Sequence, residues 1–142
     1  MKFTKKIVAV VAGVAMCAGL AACGGSRSGQ ATGGDAKIEK GSTIGISMPT
    51  KSEERWNKDG NNLKAKLEKA GYKVILSFAD DKPAQQNADI ENMVNNDAKI
   101  VVVASKDGTA VGPAVEKARD AGAKVIAYDR LIMNTDAVDR SE

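Results

Sequence analysis

"IVVVA", residues 100–104, decides the fold. An apolar run with no polar alternation reads as a strand covered on both faces, as in a parallel sheet with helices above and below. Outward from it the sequence keeps that rhythm. Upstream, Ile90, Met93 and Val94 mark the buried stripe of a helix that Pro83 opens and that stops at Asn95 and Asn96. Downstream, Val111, Ala114, Val115, Ala118 and Ala121 form the inner face of another helix. Asp107 or Thr109 is its expected cap, Pro113 sits in its first turn, and Gly122 ends it.

Farther out, residues 44–48 read as the first strand, 74–78 as the second and 125–128 as the fourth. Between the first two, Trp56, Gly60, Leu63, Leu67 and Ala70 recur at helical spacing up to Gly71, a fit for a left-handed cap. The junction "AGYKV" at 70–74 is echoed by "AGAKV" at 121–125. Strands alternating with helices predict an α/β fold: a parallel sheet with helices on both faces and right-handed crossovers. The stretch "NTDAVDRSE", 134–142, carries no helical pattern after the fourth strand. One sheet face is therefore expected to be under-covered.

The front of the chain has another character. Residues 1–22 open with Lys2, Lys5 and Lys6, continue in an apolar run over 7–20, and end in small residues, the layout of a secretory signal. That run is shorter than the roughly 20 residues that span a bilayer, so cleavage is expected. Leu20, Ala21, Ala22 and Cys23 resemble the lipobox of bacterial lipoproteins, which implies acylation of Cys23. The localisation implied is the cell envelope, lipid-anchored at the outer face of the cytoplasmic membrane or in the periplasm. An incidental Cys23 would instead leave a soluble secreted product. Residues 23–42, rich in Gly, Ser, Ala and Thr, read as a flexible tether. At about 5–6 Å times the square root of its length, it reaches roughly 20–25 Å. The α/β domain over 43–142 follows.

Charge and residue inventory exclude several classes. The chain has 21 Lys and Arg against 18 Asp and Glu, a net charge of +3. Removing Lys2, Lys5 and Lys6 with the signal leaves a balanced protein, without the electrostatic footprint of a nucleic-acid binder that a pI of 8.8 suggests. Cys17 leaves with the signal too, so no thiol pair remains for a disulfide or metal site. There is no histidine, the commonest general base and metal ligand. No phosphate-binding or dinucleotide glycine motif follows the first strand, and no cofactor is expected. The acids Asp80 and Asp81 follow the second strand, whereas a phosphoacceptor site needs acids after the first and third. "DDKP" reads as a charge cluster favoured by a helix dipole. A retaining glycosidase needs two carboxyl groups about 5 Å apart, and Asp129 has no evident partner. An enzyme is not expected.

In open α/β sheets ligands bind beyond the carboxyl ends of the strands. After the first strand stand Arg55 and Trp56; after the fourth stand Asp129 and Arg130. A carboxylate accepts from vicinal hydroxyls, guanidinium forks donate to oxygens, and an indole can lie on a sugar's C–H face. The set is complementary to a monosaccharide. Taken one at a time, Asp129 and Arg130 can equally form a local ion pair, Trp56 can be core, and Arg55 a solvated charge.

Taken together, "IGISMPTKSEERWNKDGNNL", "ADD", "ADIENMV" and "KVIAYDRLI" resemble the pentose and hexose receptors of ABC transporters, the type I periplasmic binding proteins. The resemblance spans 44–134 and matches the first half of their N-terminal domain. It implies a sugar gripped between two domains that close on a hinge, the second of them absent here. It assigns Arg55, Trp56, Asp129 and Arg130 to the first-domain contacts, with Trp56 as the stacking face. Glu54 is a secondary candidate, matching a sugar-binding acid of an arabinose-binding relative. The implied protein is a monomer that captures a pentose or hexose outside the membrane for an ABC permease. The alternatives are a truncated, non-binding fragment or a surface lipoprotein in sugar sensing or chemotaxis. A transcription regulator of the same sensor fold would need an N-terminal helix-turn-helix where this chain has a signal.

Overall fold

A computed structural model describes residues 38–139. The expected signal over 1–22, the acylated Cys23 and most of the 23–42 tether lie outside the described residues. Seven elements alternate: β1 (Thr43–Met48), α1 (Glu54–Lys69), β2 (Lys73–Phe78), α2 (Pro83–Asn95), β3 (Ala98–Val103), α3 (Gly112–Asp120) and β4 (Lys124–Ala127). The strands form one sheet in the order β2-β1-β3-β4, every pair parallel. The expected α/β class therefore holds.

Each face has its own core. On one, α2 and α3 set Ile90, Met93, Val111, Val115 and Ala118 against Val101, Val103 and Val125. On the other, α1 sets Trp56, Leu63 and Leu67 against Ile46, Met48, Leu76 and Phe78. Helix α2 lies so near β1 that a Cβ on Gly45 would come within 2.6 Å of the Met93 sulfur. On the α1 side, Ile126, in register with Val102, remains 40% exposed. The under-covered face is real among the described residues, and it lies at β4.

The repeated junction has a physical cause. Gly71 and Gly122 take φ of +97° and +89°, which costs little without a Cβ. Each sits just past its helix. Tyr72 N–H reaches Leu67 O at 3.1 Å, and Ala123 N–H reaches Ala118 O at 3.0 Å. Both are Schellman closures, which satisfy helix carbonyls and turn the chain into a strand. At the end of α2, Asp97 takes the left-handed position at φ +63°.

Three local expectations change. Asp107 does not cap α3, which starts after Val111 without a side-chain cap. Its carboxylate accepts the N–H groups of Thr109 and Ala110 in the preceding turn, both at 2.9 Å. Those bonds hold the carboxyl below its usual range. Asp80 and Asp81 are not a charge cluster in the first turn of α2, which holds no acid. They form a left-handed turn, φ +49° and +62°, and Asp81 pairs with Lys106 at 2.7 Å. Ordered structure also begins before Thr43: Gly41 N–H donates to Gly71 O at 2.8 Å, and Lys73 N–H to Ser42 O at 3.0 Å.

After β4 the chain folds back along the strand. Asp139 N–H donates to Val125 O at 2.7 Å, and its carboxylate accepts Val125 N–H at 2.9 Å. Ala137 is buried in the α2/α3 core. These contacts cover part of a strand edge that would otherwise expose unpaired backbone.

Candidate functional site

All four strands point their carboxyl ends the same way, so the residues after them share one rim. Arg55 and Trp56 stand in the first turn of α1, which follows β1; Asp129 and Arg130 follow β4. The rim brings these four together. Arg55 Nη2 donates to Asp129 Oδ1. The guanidiniums of Arg55 and Arg130 lie 4.7 and 4.9 Å from the centroid of the Trp56 ring. Such contacts add a cation–π attraction. Arg130 Nη1 donates to Ser105 O at 3.2 Å.

The backbone aims Asp129 unusually. Its φ is +62°, a region that Asp enters more readily than most residues. Arg130 N–H closes onto Tyr128 O at 2.6 Å across it. That tight turn ends β4 and separates the two charged side chains.

A second tier supports the first. Asp59, one helical turn beyond Arg55, stands 3.7 Å from Arg55 Nε and accepts the Tyr128 hydroxyl at 3.2 Å. The hydrogen bond to Asp129, then the nearby carboxylate charges, hold the Arg55 guanidinium more firmly protonated than usual. Burial, then the bond to Asp59, pushes the Tyr128 hydroxyl up. On the neighbouring loop, the bond to Lys106 holds the Asp81 carboxyl down.

Two expected roles are altered. The stacking face expected of Trp56 is covered: the residue is 1% exposed, packs with Ile46, Met48 and Ala104, and its Nε1 has no hydrogen-bond partner. Glu54 does not join the cluster; its side chain is 79% exposed and pairs with Lys58 at 2.6 Å. Asp59, Tyr128, Ser105 and Gln86 were missed from the sequence. For Asp59 there was a signal, since a carboxylate four residues after an arginine shares its helix face. For Gln86 the signal was a polar residue four before Ile90, on the buried stripe.

The cluster can present a carboxylate and two guanidinium forks on an open rim, the side chains of Arg55 and Asp129 being 57% and 32% exposed. It can bind and orient a hydroxyl-rich molecule. Among the described residues no group of three or more His, Cys, Asp or Glu is arranged to hold a metal ion.

This fold and rim define a lobe of the α/β type. The chain belongs to the periplasmic binding protein family: the family described as "Periplasmic binding protein domain" matches residues 44–140. It is 50% identical over 97 residues to the multiple sugar-binding periplasmic receptor ChvE of Rhizobium radiobacter, covering 68% of this chain and 27% of that protein. The D-xylose-binding periplasmic protein of Escherichia coli is 34% identical over 93 residues, covering 66% of this chain and 28% of the relative. A solved ABC transporter solute binding protein from Clostridium phytofermentans with bound β-D-glucose is similar at 47% identity and TM-score 0.66, covering 68% of this chain and 30% of that one. A carbohydrate transporter solute binding protein from Chloroflexus aurantiacus in complex with D-glucose gives 43% and 0.64, covering 68% and 28%. The chain thus spans about a quarter of the curated relatives it matches.

Proposed function

We propose that this chain supplies one wall of a monosaccharide-binding cleft in a periplasmic solute-binding protein, which captures a pentose or hexose for an ABC permease. One observation carries the reading: Arg55, Asp129 and Arg130 converge on the strand-end rim above Trp56, although Arg55 and Asp129 are 74 residues apart in sequence. Asp129 accepts from sugar hydroxyls, and the two arginines donate to ring and hydroxyl oxygens. Trp56 acts beneath the guanidiniums, holding them by its ring, and the sugar meets the arginines first. The sugars named for ChvE, the xylose-binding protein and the two glucose complexes support the ligand class.

Domain organisation follows the same reading: a signal over 1–22, acylation at Cys23, a tether over 23–42 and a monomeric receptor held at the envelope. The resemblance of residues 20–23 to a lipobox supports the anchor. The second wall comes from a second lobe that closes over the ligand, because a cleft buries a small molecule best from both sides.

The test is a titration of Trp56 emission with a panel of pentoses and hexoses, in the chain extended by the second lobe of a relative. A ligand that recruits Arg55 or Arg130 changes the charge over the ring, so at least one sugar is expected to shift the emission. Silence across the panel, in a folded protein, overturns the sugar assignment.

A further inference from the structure

We infer that Gln86 is a positioning residue: from α2 it fixes the backbone on either side of Ser105, and that backbone sets where the Arg130 guanidinium sits over Trp56. The inference rests on the assignment of Arg130 to the cleft wall. Gln86 is only 1% exposed, and an unsatisfied buried amide is costly. Its amide nitrogen donates to Ser47 Oγ at 3.1 Å and to Ala104 O at 3.0 Å, and its oxygen accepts Lys106 N–H at 2.7 Å. One side chain thus ties the end of β1 to the chain leaving β3.

The clamped segment continues into the site. Ser105, itself 1% exposed, offers its carbonyl to Arg130 Nη1 and its hydroxyl to Leu131 O, at 3.2 and 3.4 Å. Met133 N–H donates to Gly108 O at 2.9 Å. A Cβ on Gly108 would stand 2.3 Å from Leu131 O, so this loop lies directly against the segment that carries Arg130. Gln86 touches none of the four rim residues by hydrogen bond. Its effect on them passes through 104–106.

A satisfied core amide that merely stabilises the lobe would show the same bonds, so the test must read Arg130 itself. Trp56 is the only tryptophan of the chain, and the Arg130 guanidinium lies 4.9 Å from its ring. Its emission therefore reports on Arg130 in the 142-residue chain without any ligand. Gln86→Met, Arg130→Met and the double variant form a cycle, with far-UV dichroism checking the fold. Gln86→Met is expected to shift Trp56 emission in the same direction as Arg130→Met, and to add nothing in the Arg130→Met background. Unchanged emission with a lowered Tm, or two shifts that add, reduces Gln86 to a stabilising residue and overturns the inference.

Gln86→Asn, which keeps the amide but shortens its reach to Ala104 O and Lys106 N–H, replaces Gln86→Met if that variant does not fold. It is judged by the same two outcomes. In the two-lobed protein, Gln86→Met is expected to weaken sugar binding about tenfold, the scale of one displaced charged hydrogen bond. If the unmutated protein binds no sugar, the functional reading fails, while the emission cycle still decides whether Gln86 acts through Arg130.

Discussion

Asp129 meets two demands at one position. Its backbone must hold φ at +62°, and its carboxylate must stand where Arg55 can donate to it. Alanine removes the acceptor and is also less suited to the left-handed region. In the two-lobed protein, Asp129→Ala is expected to cost about 1.5–3 kcal/mol of sugar affinity, the range for a hydrogen bond to a charged group. Glu54→Ala removes an exposed pair with Lys58 and should stay within about 0.5 kcal/mol. Calorimetry on both variants checks the ranking, and equal losses would contradict it. The charges at 129 and 130 were legible in the sequence because they interrupt an apolar strand. The covering of Trp56 was not, because spacing tells which side of α1 a residue occupies and not which guanidiniums arrive from β4.

At the scale of elements, β4 separates what packing and exposure each contribute. Val125 is fully buried against α2 and α3, whereas its neighbour Ile126 faces the bare side of the sheet at 40% exposure. Val125→Thr keeps the shape but buries a hydroxyl, and is expected to cost about 1–3 kcal/mol in thermal or denaturant melts. Ile126→Thr should fall within about 1 kcal/mol, since surface changes away from packed features are small. Reversed costs would mean that the faces of β4 are misassigned. The strands and helices themselves were readable from apolar runs and glycine stops, and apart from the start of α3 their bounds moved by only a residue or two. The cap of α3 was misread for a physical reason: Asp107 is the right residue type, but its carboxylate closes the turn ahead of the helix. Asp80 and Asp81 misled likewise, since acids before a proline suit a helix start and also suit a left-handed turn.

Over the whole molecule, the rim is assembled from distant parts of the chain. Arg55 and Asp129 are 74 residues apart, and Asp59 and Tyr128 are 69. Sequence reading found the members of this rim by residue type at strand ends. It could not give their pairing, which the sheet order β2-β1-β3-β4 creates by setting β4 two strands away from β1. Contacts so remote in sequence form slowly, because the chain must close a long loop before they reward it. The rim is thus a late event in folding: Arg55, on the first helix, waits for its carboxylate until β4 docks. After a jump from denaturant, Trp56 emission is expected to reach its native value later than far-UV dichroism, and coincident traces would refute that order. Assembly of the rim is timed by topology: in a nascent chain Arg55 stands without its carboxylate until β4 and the turn after it have been made.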